Sequence, residues 1–184
     1  YGLPSVVIIF EPQPQEFFSG EQAPARLMRL REKVEALVSE GVDRVLCLQF
    51  NPSLRSLSAR QFIDRVLIEG LDVRCLVVGD DFRFGHDRSG NDRLLRQVGE
   101  QQGFDVIDTH TLQYGSERIS STRIRRALEV GDFDLAETLL GRPYQITGRV
   151  VYGQQLGQQL GIPTANVHLY RYRAPLSGVY VVEA

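Results

Sequence analysis

The sequence predicts an α/β protein built on a doubly wound parallel sheet and followed by the start of an antiparallel β-barrel. Two observations predict this. Apolar, strand-like runs alternate with amphipathic helical stretches in units of about 30 residues, which is typical of βαβ crossovers. After Gly141 the helical periodicity ends, and glycines separate short β-prone runs. We therefore expect one domain over residues 1–141 and a second over residues 142–184.

The predicted strands of the first domain are short, continuous apolar runs, which are typical of a parallel sheet buried on both faces. Cys47 and Cys75 each lie in the middle of such a run, so we expect two buried thiols rather than a disulfide or a metal site. In chain order the predicted strands are residues 6–10, 44–50, 73–78 and 104–107 and, in the second domain, residues 146–152 and 178–182.

The predicted helices begin at capping side chains and end at glycines. Apolar side chains recur at helical spacing between Leu27 and Val38, and a further helix begins in the segment Ser120 to Arg125. The residues expected to cap or end helices are Gly41, Ser58 with Gln61, Asn91, Gly103, Asp132 and Gly141.

Composition excludes several classes of function. The formal net charge of the 184 residues is -2, so no basic field predicts nucleic acid or an anionic membrane as a partner. No apolar stretch approaches the roughly 20 residues that span a bilayer. Neither a signal peptide nor a lipidation motif is visible, which predicts a cytoplasmic protein. The three histidines have no metal-ligand spacing, and no Walker or GxSxG motif is present.

The segment Ser120-Ser121-Thr122-Arg123-Ile124-Arg125 predicts a phosphate site. Free backbone N–H groups at a helix start favour an anion, and hydroxyl groups add donors. Arg125 follows Ser121 by four residues and Thr122 by three, so it shares their helix face. The alternative is a surface helix capped by Ser121 or Thr122, with solvated arginines. We expect Arg126 to lie on a different face.

Two further loops follow predicted strands and are expected at the same edge of the sheet, where ligands bind in open α/β folds. In one loop, Gly79 permits close approach of a ligand to the backbone, and Phe84 offers a flat ring. The other carries Pro12 and Phe18. The alternative for Phe84 is an aromatic residue packed in the core.

The second domain carries three evenly spaced glycines at 153, 157 and 161, followed by Pro163-Thr164-Ala165-Asn166. In an extended segment Thr164 and Asn166 point the same way, so a hydroxyl and an amide carbonyl could hold Mg²⁺ with the phosphates of a nucleotide. The alternative is a corner of a β-barrel, in which glycine and proline serve only the geometry.

Five stretches in one order resemble the bacterial bifunctional riboflavin kinase/FMN adenylyltransferases, the FAD synthetase family, whose first module has a Rossmann-like nucleotidyltransferase fold. The resemblance covers essentially the whole chain. The stretches are F-E-P-x-P at 10–14, R-L-R-E-K at 29–33, V-G-D-D-F-R-F-G at 78–85, I-S-S-T-R-I-R at 119–125 and L-G-I-P-T-A-N-V at 160–167.

The resemblance implies two ATP-dependent reactions: phosphorylation of riboflavin to FMN, and transfer of AMP from ATP to FMN to give FAD and pyrophosphate. It implies Mg²⁺ as cofactor and riboflavin, FMN and ATP as partners. Arg125 would be catalytic, stabilising charge as pyrophosphate leaves. The implied ATP-binding residues are Gly79, Ser120, Ser121, Thr122 and Arg125. The implied flavin-binding residues are Pro12, Phe18, Asp81 and Phe84. The implied kinase residues are Gly153, Gly157 and Gly161 for the nucleotide, with Thr164 and Asn166 for the metal.

Two parts of the family pattern are expected outside these residues. The signature G-x-F-D-G-x-H-x-G-H should precede Tyr1, and the catalytic glutamate of the kinase module should follow Ala184. Two other functions stay open. One is a nucleotidyltransferase for another phosphorylated substrate, and the other is a flavin- or nucleotide-binding module without catalysis.

Overall fold

A computed structural model describes residues 1–79, 81–153, 161 and 164–183 of the chain. Helices and strands alternate along it, as expected for an α/β protein. The strands are β1 Val6–Glu11, β2 Arg44–Gln49, β3 Cys75–Gly79, β4 Asp105–Thr109, β5 Gln113–Tyr114, β6 Glu117–Arg118, β7 Arg149–Val151 and β8 Asn166–His168. The α-helices are α1 Pro14–Ser19, α2 Leu30–Ser39, α3 Pro52–Arg55, α4 Ala59–Phe62, α5 Asp92–Gln102, α6 Ser121–Glu129 and α7 Phe133–Leu140. A 3₁₀ turn follows α1 at Gly20–Gln22, and a π-helical segment, Ile63–Gly70, continues α4.

The chain divides into two compact units. One consists of Tyr1–Leu48 together with Ser120–Ala184, and the other is Gln49–Ile119. The described strands pair two by two, as β1–β2, β3–β4, β5–β6 and β7–β8. The α/β class is therefore confirmed, while the complete doubly wound sheet, the barrel and the domain boundary after Gly141 stay predictions.

The unit Gln49–Ile119 contains a βαβ arrangement. Strands β3 and β4 pair in parallel, with Cys75 opposite Asp105, and α5 is the connection between them. Helix α5 begins at Asn91, whose side chain accepts a hydrogen bond from the Leu94 N–H, and ends at Gly103 in the left-handed conformation. Both ends agree with the sequence prediction. The core of this unit is apolar, with Phe62, Ile63, Leu67, Leu95 and Val98 buried.

The other unit holds the helix pair α6 and α7. Ile124, Ala127 and Leu128 of α6 are buried, as are Ala136 and Leu139 of α7. The predicted cap of α7 is present, because the Asp132 side chain accepts a hydrogen bond from the Leu135 N–H. In the same unit, β7 and β8 pair antiparallel, with Arg149 opposite His168 and Val151 opposite Asn166.

Three sequence expectations are wrong. Helix α2 begins at Leu30 rather than near Leu27, because Arg29 is extended and its N–H donates to the Glu32 carboxylate. Residues 178–182 form no strand within the described residues, since no neighbouring segment supplies a ladder, and Val179 is fully exposed there. Neither thiol is buried as expected, since Cys47 is exposed and Cys75 is half-buried. The two short helices α1 and α3 and the hairpin β5–β6 had no prediction.

Candidate active site

Helix α6 begins at a row of three hydroxyl side chains. Ser120 is the N-cap, and its side chain accepts a hydrogen bond from the Arg123 N–H at 3.2 Å. In the alternative to a phosphate site, Ser121 or Thr122 caps this helix, and the structure places the cap at Ser120 instead. Because Ser120 performs the capping, the hydroxyl groups of Ser121 and Thr122 are not needed for it, and both lie at the positive end of the helix dipole.

A cavity of about 370 Å³ lies beside this helix. The structure brings two of the predicted site residues together in its wall, Thr122 and Arg125. The full lining is Gln15, Pro24, Thr122, Arg125, Arg126 and Glu129. Two arginines and one glutamate give the wall a net positive charge, and a helix N-terminus adds to it, so the cavity favours an anionic ligand.

Arg125 is held at one side of its guanidinium. Its Nε donates to the backbone carbonyl of Ala25 at 2.6 Å, and the side chain is partly buried. Within the described chain, no residue accepts a hydrogen bond from the two Nη groups, so they are available to a ligand. Burial lowers the pKa of the Arg125 guanidinium, but an arginine stays charged at neutral pH.

Arg126 also lines the cavity, which corrects the expectation that it points to a different face. Adjacent residues on an α-helix are about 100° apart, and a long arginine side chain can bridge that separation. Arg126 is exposed. The sequence missed Arg126, Gln15, Pro24 and Glu129 as lining residues, since helical spacing alone does not show how far a side chain reaches.

The loop that carries Pro12 is fixed by a partly buried ionic cluster. Arg26 donates to the Glu11 carboxylate at 3.0 Å and 2.5 Å, and its Nε and one Nη also contact the Glu16 carboxylate. Hydrogen bonds from Arg26 lower the pKa of Glu16, although burial opposes them. Pro12 is half-buried, while Phe18 is 60% exposed and offers apolar surface.

The other predicted flavin contacts, Asp81 and Phe84, lie in the unit Gln49–Ile119, as does Gly79, which is predicted to bind ATP. Gly79 ends β3, and Asp81 accepts a hydrogen bond from Arg118 at 2.9 Å, which lowers the pKa of the Asp81 carboxyl. Phe84 is buried, and its ring packs against Phe62 at 5.6 Å and stacks on Phe82 at 5.2 Å between centroids. This packing favours the alternative of a core aromatic.

In the second predicted domain the structure places Asn166 next to Gly153. A Cβ atom added at Gly153 would overlap the Asn166 side-chain amide, so the glycine leaves room for that amide. Thr164 is exposed and lies just before β8. Gly161 adopts a left-handed conformation, and the predicted Gly157 lies outside the described residues.

No group of three or more His, Cys, Asp and Glu side chains that could hold a metal occurs among the described residues. Thr164 and Asn166 would supply two neutral oxygens. These fit Mg²⁺ only as part of a shell, because Mg²⁺ usually takes carboxylates, waters and substrate phosphates as its other ligands. In the described part of the chain, no helix has the length and apolar character needed to cross a membrane.

Comparison with known proteins gives two family matches. The family model of FAD synthetase matches residues 1–123, and that of riboflavin kinase matches residues 140–184. Similar proteins include bifunctional riboflavin kinase/FMN adenylyltransferases from Pseudomonas fluorescens, 58% identical, and Escherichia coli (strain K12), 51% identical. Each comparison covers 98% of this chain and 58% of the relative, so the chain spans little more than half the length of these curated relatives.

A solved structure, described as a macrolide-efflux protein from Streptococcus pneumoniae, is also similar. Its TM-score is 0.80 at 31% sequence identity, over 97% of this chain and 58% of that one. Since the FAD synthetase model matches well over half of the residues, the chain belongs to the FAD synthetase family.

Proposed function

We propose that the full-length protein makes FAD in two steps, as a riboflavin kinase and an FMN adenylyltransferase. Riboflavin would receive a phosphoryl group from ATP to give FMN, and FMN would then receive AMP from a second ATP. Residues 1–141 would form the adenylyltransferase domain and residues 142–184 the start of the kinase domain. The boundaries of the two family matches support this division.

The observation that carries the proposal is the cavity beside α6. It is lined by Thr122 and Arg125. The Nε of Arg125 donates to Ala25, and among the described residues no group accepts a hydrogen bond from its two Nη groups, so these can bind a ligand. ATP phosphates would bind there, against the hydroxyl groups of Ser121 and Thr122 and the N–H groups of the first turn. Ser120 would act by capping and orienting that turn.

The adenylyl step needs no activated side-chain nucleophile. A phosphate oxygen of FMN, already negative, would attack the α-phosphorus of ATP, and the bond from that phosphorus to the pyrophosphate oxygen would break. Negative charge grows on the leaving pyrophosphate, so a guanidinium that is oriented before the reaction lowers the barrier. Arg125 would have this role.

The flavin would bind near Pro12 and Phe18, with Asp81 and Phe84 as the other expected contacts, and Gly79 would contact ATP. The exposed ring of Phe18 and the fixed loop at Pro12 support the first pair. For the kinase step, Gly153, Gly157 and Gly161 would bind the nucleotide, and Mg²⁺ held by Thr164 and Asn166 would neutralise charge on the phosphates.

The finer fold proposal is a doubly wound sheet of Rossmann-like type, followed by a β-barrel. The parallel pair β3–β4 with its α5 crossover supports the first part, and the antiparallel pair β7–β8 supports the second.

Chromatography of flavins tests the function. Full-length protein incubated with riboflavin, ATP and Mg²⁺ should yield FMN and then FAD with pyrophosphate. Formation of neither product by a folded sample would reject the proposal and leave a binding module. Failure with FMN, but transfer of AMP to another phosphorylated acceptor, would assign a different nucleotidyltransferase.

A further inference from the structure

We propose that Arg26 is a positioning residue for adenylyl transfer, acting on Arg125 through the carbonyl of Ala25. This inference rests on the proposed function of Arg125. The sequence gives no signal for it, because Arg26 lies between predicted elements and follows no periodic pattern.

The first step is the peptide unit that joins Ala25 to Arg26. The Ala25 carbonyl oxygen and the Arg26 Cα belong to one planar, rigid group of atoms. Any contact that fixes Arg26 therefore limits where the Ala25 oxygen can lie. The segment around these two residues has no helix or strand of its own, so its backbone position depends on such contacts.

The second step is the strength of the contact. The Arg26 side chain is 13% exposed, and all three of its nitrogen atoms donate to the carboxylates of Glu11 and Glu16. A bidentate arginine–carboxylate pair has a defined planar geometry, because two N–H groups of the guanidinium donate to the two carboxylate oxygens. A lysine ammonium acts as a point charge and does not fix this geometry. The two carboxylates come from the end of β1 and from the first turn of α1, so Arg26 is held from two elements.

The third step is the direction of Arg125. Its Nε–H donates to the Ala25 oxygen at 2.6 Å, which fixes one edge of the planar guanidinium. The two Nη groups lie at the other end of this guanidinium, and the Arg125 side chain lines the cavity. Displacement of the Ala25 oxygen would rotate or release that edge, and small misplacements of a charge-stabilising group lower rates strongly.

A double-mutant cycle in the full-length enzyme tests the inference. Arg26→Lys keeps the positive charge but loses the fork, and we expect the kcat of FAD formation to fall by about 10- to 100-fold. Riboflavin phosphorylation by the same sample should change by less than about twofold, which shows that the protein is folded. Arg31→Lys, at a pair with Glu35 that is exposed on α2, is the matched control and should leave both activities unchanged.

The decisive comparison is made in the Arg125→Ala background. If Arg26 acts through Arg125, adding Arg26→Lys to Arg125→Ala should change FAD formation by less than about twofold. A full additive loss would overturn the positioning role and leave Arg26 as a structural residue. If Arg125→Ala alone leaves FAD formation intact, the proposed function of Arg125 fails, and this inference fails with it.

Glu11→Gln provides a second route, in case the lysine variant does not fold. Glu11 is the more exposed partner of Arg26, with a side chain 27% exposed, against 6% for Glu16. Replacing Glu11 by a neutral glutamine therefore disturbs the buried part of the cluster less than a change at Glu16 would. The amide weakens one side of the fork, and the same cycle with Arg125→Ala should again be non-additive. Additive effects of Glu11→Gln would count against the proposal as well.

Discussion

Arg171 and Glu32 form a buried ion pair, in which one Nη of Arg171 lies 3.0 Å and 3.1 Å from the two carboxylate oxygens of Glu32. Their side chains are only 1% and 7% exposed. Glu32 lies in the stretch that matches FAD synthetase, and Arg171 in the stretch that matches riboflavin kinase. The pair therefore joins the two matched stretches of the chain.

Further hydrogen bonds surround this ion pair. Glu32 also accepts the N–H and hydroxyl groups of Thr147 at 2.9 Å and 2.7 Å, and Arg171 donates to the Arg26 carbonyl at 3.1 Å. The neighbouring carbonyls of Ala25 and Leu27 accept from Arg125 and from the Tyr144 hydroxyl. Three consecutive carbonyls of one short segment are thus bonded to side chains from distant parts of the chain.

Arg171→Met should destabilise the full-length protein strongly. Glu32 would keep Arg29 as a charged partner, whose Nε lies 3.6 Å from its carboxylate, so the loss should be at most about 3–5 kcal/mol, the cost of a buried charge with no partner. Thermal and urea unfolding would measure this loss. The double variant Glu32→Gln with Arg171→Met should recover part of it, because the buried side chain at position 32 then carries no charge. Equal stability of the single and the double variant would contradict this account.

Acid should destabilise the fold through Glu16 and Glu32. Arg26 holds the pKa of Glu16 below its usual range; burial alone would raise the pKa of Glu32, but hydrogen bonds from Arg29 and Thr147 outweigh it. When the pKa of a carboxyl group is lower in the folded chain than in the unfolded chain, the unfolded chain takes up a proton at higher pH. Protonation of that group therefore favours unfolding. The stabilisation is complete above the unfolded value of about 4.3 and is lost as the pH falls through the folded pKa.

Urea unfolding between about pH 7 and pH 3.5 measures this dependence. In the Glu16→Gln variant, the free energy of unfolding should fall less steeply at the acid end of this pH range, which is the acid limb of the profile. Glu21→Gln, a change at an exposed residue of the 3₁₀ turn, should leave that limb as it is. An unchanged limb in the Glu16 variant would show that this carboxylate does not contribute.

Local chemistry explains what the sequence predicted well. The caps at Asn91, Asp132 and the pair Ser58 with Gln61 need only residues three positions apart, and all form. Arg171 and Glu32 are 139 positions apart, and no periodicity reports such a contact. The strand expected at 178–182 shows the same limit, because β-propensity describes a segment, while a strand also requires a neighbour.

Arg125→Ala should impair FAD formation and spare FMN formation. Loss of one oriented donor to developing charge costs about 2.7–4 kcal/mol in the barrier. Since Arg126 lines the same cavity, Arg126→Ala should give a smaller loss, expressed mainly in the KM for ATP. Arg31→Ala, on an exposed face of α2, is the neutral control. Steady-state rates for each flavin product decide between these outcomes. Equal losses at Arg125 and Arg31 would indicate a general effect on the fold.

The kinase half can be tested at Gly153. This residue has no left-handed backbone requirement, so alanine fits its conformation, but the new Cβ would displace the amide of Asn166. If the Asn166 oxygen helps to hold Mg²⁺, Gly153→Ala should reduce riboflavin phosphorylation in the same way as Asn166→Ala and Thr164→Ala. All three variants should still adenylylate added FMN.

Mg²⁺ titrations of the kinase rate make the test at Gly153 specific. The Gly153 and Asn166 variants should require more Mg²⁺ to reach half of their maximal rate, because one oxygen ligand is displaced or missing. Tyr152→Phe, at an exposed neighbour of Gly153, should titrate like the unmodified protein. A loss of both activities together, with an unchanged Mg²⁺ requirement, would mean that Gly153 and Asn166 support the β7–β8 pair rather than the metal.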